Sequence, residues 1–271
     1  MQSCTPFYVV ALSQLIYLLM QSRTAYYTAR EGFLAALLLA VSYLPFLWML
    51  CKIDTCPRWK TAKPIAGKVL AVVLFCWGWV QIFQLSDICR REYQTGGVWI
   101  LLLVIGLLAL RADWHALSRM TQTIWAIAVV AVVLLVGVVH HVSWQNLSFD
   151  PIDSGRTAQA YWALFYFCPE FLALPWMGDT SKKFWWKLPA VVFFLQGVSV
   201  LAAEAVFGWE AETGRFPSLE AVRCCGIGAF SRLDDIFVGL WLFLSLYRIA
   251  VLWQLIKIVS KGGRNIALQK E

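Results

Sequence analysis

YWALFYFCPEFLALPWM, Tyr161 to Met177, decides the fold. Its length and apolarity suit a bilayer crossing, which takes about 20 residues. It also carries Pro169 and Pro175 and sets Glu170 near its middle. A proline removes a backbone donor and clashes with the preceding turn. A carboxylate at membrane depth is costly. Irregular backbone survives in a membrane only where protein or a water-filled cavity surrounds it. The stretch therefore predicts a kinked or discontinuous helix that faces an interior. Such helices form the midplane binding sites of secondary transporters. The same residues also fit a proline-kinked structural helix whose carboxylate is satisfied by a neighbour.

The rest of the chain belongs to the same class. It is 60% hydrophobic and 14% charged, where soluble domains carry about 25% charged residues. The apolar residues fall in separate runs, which predicts an all-α, multi-pass integral membrane protein in one domain, residues 1–271. The start, MQSCTPF, has no positive charge and no small-residue cleavage site, so the first run reads as a retained helix. Eight spans are predicted, over about 7–22, 32–51, 69–85, 98–110, 124–140, 161–177, 188–207 and 233–258. Residues 208–230 read as an amphipathic segment lying on the bundle, 52–68 as a basic loop, and Val142–Thr157 as an exposed loop.

Charge sets the orientation. Loops after the even-numbered spans hold 14 Lys and Arg, counting Lys257 with the tail, against 8 after the odd-numbered ones. The excess places both termini in the cytoplasm. The net charge of +7 serves topology and does not point to nucleic acid. The 15 Trp suit interfacial belts as well as packing between helices. The eight Cys form no ligand spacing and read as free thiols.

Few side chains can carry chemistry. Glu170 is the first candidate for a substrate amine or an exchangeable proton, with Tyr166, Phe167, Cys168 and Pro169 around it. Ser13, Gln14 and Gln81 complete the predicted substrate-binding set, although amides within spans usually bond helix to helix. Gln84 and Gln196 are further amides of that kind. Glu204 is expected to reach the interface at the end of its span. Arg232, Asp234 and Asp235 cluster where the last span begins, as caps or as a gate. Arg248 lies deep in that span and either snorkels toward Lys257 or pairs with an acid. His140 and His141 are adjacent and so do not share a helix face, which argues against a metal site. No phosphate loop, nucleophile elbow or H-E-x-x-H occurs, so neither enzyme nor cofactor is expected.

Two stretches carry a resemblance: LALRADWHALSRMTQTIWAI, Leu108 to Ile127, and VFGWEAETGRFPSLEAVRCCGIGAFSRLDDIFVGLWLFLSLYRIAVLW, Val206 to Trp253. Phe207–Gly208, Pro217, Arg232–Leu233–Asp234 and Trp241 follow, in order, a pattern similar to that of the membrane-embedded B subunit of spore germinant receptors. Arg119 and the turn around it fit that family's link between its fourth and fifth helices. The family belongs to the amino acid–polyamine–organocation transporter superfamily.

The resemblance implies an inverted-repeat fold with helices 1 and 6 broken around a central site. It implies a small nutrient ligand such as an amino acid, a bacterial cell membrane or spore inner membrane, and A-type and lipoprotein C-type partner subunits. Two features depart from the family. The chain ends after the eighth span, so the expected fold is a truncated inverted repeat. The first span also lacks a glycine-rich break, with QSRTAYYTAR after Met20. A last span that is apolar all round, with Phe237, Leu240, Trp241, Leu244 and Leu252, is expected to lack neighbours and to offer a docking flank.

Overall fold

The chain starts its helices where proline and capping chemistry allow. A computed structural model of the protein describes residues 6–20, 27–53, 57–94, 97–111, 113–136, 142–164, 169–177, 187–208 and 233–261. Those residues form α1 (Pro6–Met20), α2 (Ala29–Ile53), α3 (Pro57–Tyr93), α4 (Val98–Arg111), α5 (Trp114–Val136), α6 (Ser154–Leu164), α7 (Pro169–Leu172), α8 (Lys187–Phe207) and α9 (Leu233–Ser260). Short 3-10 turns cover Trp144–Asn146 and Leu174–Trp176, and no strand occurs among the described residues. The predicted amphipathic segment, beyond Gly208, lies outside them.

Four of these helices are long and apolar enough to cross a membrane: Ala62–Arg90, Trp114–Val133, Pro189–Phe207 and Ile236–Ser260. They mark the chain as a membrane protein. Pro6–Leu18 and Trp99–Ala109 are shorter apolar helices. Val72, Phe83, Leu107, Val129 and Val133 stand exposed on α3, α4 and α5, as lipid-facing side chains do and as water-facing ones of this number do not.

Several boundaries differ from the sequence reading, each for a local reason. The expected basic loop over 52–68 is helical from Pro57 onward. Proline at a first helical position gives up a hydrogen bond that the helix would not have made, so Pro57 opens α3 and does not end anything. Pro64 lies inside the same helix. α5 begins at Trp114, ahead of the predicted Ile124. α2 begins at Ala29, ahead of Gly32, because Thr28 and Glu31 close a capping box. The Thr28 amide donates to Glu31 Oε2 at 2.9 Å and the Glu31 amide to Thr28 Oγ1 at 3.4 Å. The expected exposed loop Val142–Thr157 is helical from Ser154, and residues 142, 143, 146, 147 and 148 are half-buried.

α1 and α9 form the centre. Val9, Val10, Leu12, Ser13, Gln14 and Ile16 are all fully buried. Successive helix positions turn by about 100°, so burial of residues 12, 13 and 14 encloses α1 on nearly every side. α9 packs on α1, α3, α4 and α5. Its most apolar window is 61% buried, against 33–39% for the other three long apolar helices. The expectation of an unneighboured last span is therefore corrected: α9 is the most enclosed of the four.

The second layer is the α2–α8 pair, with α6 against α2. Small residues bring these helices together, as they do where lipid supplies no hydrophobic drive. A Cβ on Gly197 of α8 would sit 2.9 Å from Phe33 Cδ2 and 3.1 Å from the Cβ of Ala36 on α2. A Cβ on Gly106 of α4 would meet Trp253 Nε1 of α9 at 2.5 Å. Gly197→Leu is expected to lower stability by about 1–3 kcal/mol through overpacking. Thermal unfolding in detergent checks it, and an unchanged midpoint counts against this packing.

Candidate functional site

The centre of the molecule holds a buried ion pair. Glu170 follows Pro169 in the first turn of α7, and Arg248 lies midway along α9. Both side chains are fully buried, and Arg248 Nη2 donates to Glu170 Oε1 at 2.8 Å. Nη1 donates to the main-chain carbonyl of Ser13 in α1 at 2.6 Å. The guanidinium carbon stands 4.5 Å from the centroid of the Tyr17 ring, one turn further along α1. One arginine thus ties α1, α7 and α9 through a charge, a carbonyl dipole and an aromatic face.

Burying two charges is costly, and close geometry offsets much of that cost. Of the two fates open to Arg248, the structure has pairing with an acid and not snorkelling. The predicted Glu170 and Ser13 meet here, Ser13 through its main-chain carbonyl. Ser13 Oγ and both amide atoms of Gln14 are buried without a hydrogen-bond partner.

Other predicted residues lie elsewhere. Gln81 of α3 is buried and donates to Gln84 of its own helix at 3.1 Å. Pro169 opens α7, and Asp234 and Asp235 belong to the first turn of α9. Tyr166, Phe167, Cys168, Arg232, His140 and His141 lie outside the described residues. Among the described residues no group of three or more His, Cys, Asp or Glu could hold a metal ion.

Glu204, near the end of α8, is buried, at 1% exposure. It accepts hydrogen bonds from the Ala29 amide, at the start of α2, and from the Ser148 amide at 2.8 Å. Glu31, which the sequence reading passed over, is its counterpart. Glu31 Oε1 accepts from the Asp153 amide at 3.0 Å and faces Arg156 Nε at 3.1 Å. The two carboxylates thus pin residues 142–153 across the ends of α2 and α8. Asn146 Nδ2 adds bonds to the Ala205 and Val206 carbonyls at 3.1 and 3.3 Å. The signal for Glu31 was present as Thr28-Ala-Arg-Glu31, a threonine three residues before a glutamate.

A second polar contact holds the segment after α7. Lys63 Nζ, on the stretch expected to be loop, donates to the Pro175 carbonyl at 2.9 Å and lies 5.9 Å from the Trp176 ring centroid. The early start of α3 is what carries this lysine to the turn. α9 is held to its neighbours by Thr121 Oγ1 and Tyr247 Oη at 2.8 Å and by a bond from Gln254 to the Ala109 carbonyl.

No protein-family model, curated protein or solved structure matches the chain.

Removing one partner of the central pair takes a 2.8 Å carboxylate–guanidinium contact away from the charge that stays buried. Arg248→Met and Glu170→Leu are each expected to destabilise by about 3–5 kcal/mol, and the double variant by less than their sum. Unfolding midpoints of the four proteins complete the cycle. Additive losses would show that the pair is not coupled.

Proposed function

We propose that the chain is a multi-pass membrane subunit of a nutrient receptor, binding a small ligand such as an amino acid and performing no catalysis. The sequence resemblance to germinant-receptor B subunits suggests this reading, and the central site supports it. The carrying observation is the fully buried Glu170–Arg248 pair, tied to the Ser13 carbonyl and the Tyr17 ring of α1. Charge and hydrogen-bonding capacity of this kind at membrane depth is costly to keep for packing alone.

In this reading α6 and α7 are the two halves of one broken crossing, flanking residues 165–168, and the chain crosses eight times on a transporter-type fold. Ligand occupancy at α7 shifts α7 against α1 and α9, and partner subunits of the A and lipoprotein C types read the shift. The setting is a bacterial cell membrane or spore inner membrane, with both termini cytoplasmic.

Glu170→Gln is expected to insert normally while abolishing, or shifting by about tenfold or more, the ligand response of cells that carry the partner subunits. A parent-like response moves the site elsewhere. Reconstituted alone with labelled amino acids, the chain is expected to show no gradient-driven uptake. Saturable uptake would make it a proton-coupled permease. A chain that binds nothing, alone or with partners, is a structural subunit.

Orientation has its own check. Single-cysteine variants are expected to label from the outside at position 150 and from the cytoplasm at positions 54–63. Labelling of position 150 only from the cytoplasm overturns the eight-crossing layout.

A further inference from the structure

The segment Val142–Asp153 is two-sided. Its polar groups are bound to the helix ends beneath it. The Ser143 amide and Asn146 Nδ2 donate to the Ala205 carbonyl at 2.9 and 3.1 Å, and the Ser148 and Asp153 amides reach the buried Glu204 and Glu31. Its large apolar side chains stand on the other side: Trp144 is 75% exposed, Phe149 76% and Ile152 46%. Depth is the first guide to what they meet. Ala205 and Val206 lie in the last turn of Pro189–Phe207, a 19-residue apolar helix. At 1.5 Å per residue it is about 28 Å long, close to the thickness of a hydrocarbon core. The segment tied to its last turn therefore lies at the level of a bilayer surface. Continuity is the second guide. Leu34, Leu38 and Val41 are exposed along α2 and share one of its faces with Arg30. The Arg30 guanidinium carbon stands 5.9 Å from the centroid of the Phe149 ring, and Nη1 donates to the Asp150 carbonyl at 3.4 Å. Phe149 thus prolongs the apolar stripe of α2 past the end of that helix.

We propose that Val142–Asp153 is a membrane-surface strap, whose Trp144, Phe149 and Ile152 side chains insert among phospholipid headgroups and the upper part of the acyl chains. Aromatic side chains are favoured at that level. Area favours lipid over a protein partner. The three side chains offer on the order of 400 Å², about half of the ~800 Å² that each side of a stable protein interface buries. The strap holds the bundle at a fixed depth through the ends of α2 and α8. It also keeps Glu31 and Glu204 at the edge of the hydrocarbon, where a charge costs less than at the midplane. The assignment uses the membrane class of the chain and not the nutrient-receptor reading, and it stands or falls separately.

The full chain in phosphatidylcholine–phosphatidylglycerol vesicles, carrying the photo-crosslinker p-benzoylphenylalanine at one position at a time, reads the contact. At positions 144 and 149 illumination is expected to add the mass of one phospholipid, in a yield comparable to that at position 194, where Phe194 is exposed on α8. At position 147, where Leu147 packs against the core, only crosslinks within the chain are expected. Adducts at 144 and 149 to a second copy, to another protein or to residues 209–232 in place of lipid overturn the proposal. So does the lack of a lipid adduct there when position 194 yields one. A second measurement needs no crosslinker. The Trp144 emission, taken as the difference between the parent and Trp144→Phe, is expected to be quenched more by lipid brominated in the upper acyl chain than by lipid brominated near the chain end. Quenching by aqueous iodide and by neither brominated lipid would put the strap in water and sink the idea.

Discussion

A buried arginine cannot be left alone, and the centre of this protein is arranged around that constraint. Arg248 is fully enclosed on α9, in the most buried of the long apolar helices. Its charge requires a carboxylate at contact distance, and its remaining N–H groups require acceptors. Glu170 supplies the first from 78 residues away and the Ser13 carbonyl a second from 235 residues away. Meeting these requirements fixes where α1 and α7 stand relative to α9. The aromatic face of Tyr17 closes the arrangement without adding charge.

The second polar system works by different means. Glu31 and Glu204 take main-chain N–H groups from the start of α2 and from residues 148 and 153. Main-chain donors at a helix start and in a strap have no partners of their own within regular structure. Two buried carboxylates meet several of these needs together, and Arg156 balances one of the charges. The strap is thereby bound to α2 and α8, the two helices whose packing Gly32 and Gly197 allow to be close. Here the acids serve the backbone, whereas Glu170 serves another side chain. Equal burial does not mean equal chemistry.

The membrane class, the two ends of α4 and α8 and the special status of Glu170 were legible in the sequence, because runs of apolar residues and isolated charges are one-dimensional signals. The early starts of α2, α3, α5 and α6 lie ahead of the apolar runs and carry no signal of that kind. Pro57 opens α3, because a proline at a first helical position breaks nothing. The capping box at Thr28 and Glu31 is readable in the sequence and lies just ahead of the apolar run. Glu204 was assigned by its place near a helix end. Its burial depends on a strap that folds back from 56 residues earlier in the chain, and periodicity carries no trace of such a contact. Arg248 had two fates open to it, and only the three-dimensional position of Glu170 chooses between them.

The direction of the chain's polar investment bears on how the molecule responds. Lys63 holds the turn after α7 through the Pro175 carbonyl and lies by the Trp176 ring, while Arg248 holds the start of α7 through Glu170. α7 is four residues long, too short to be stable by its own hydrogen bonds. Its position is therefore set by cations on α3 and α9, one at each end. Loosening either contact frees a short segment and not a whole helix, and this requires far less of the surrounding packing to change. α1 and α9, buried on nearly all sides, are the fixed frame against which such a movement is measured. A four-residue segment held at both ends by cations on separate helices depends on those two contacts for its position.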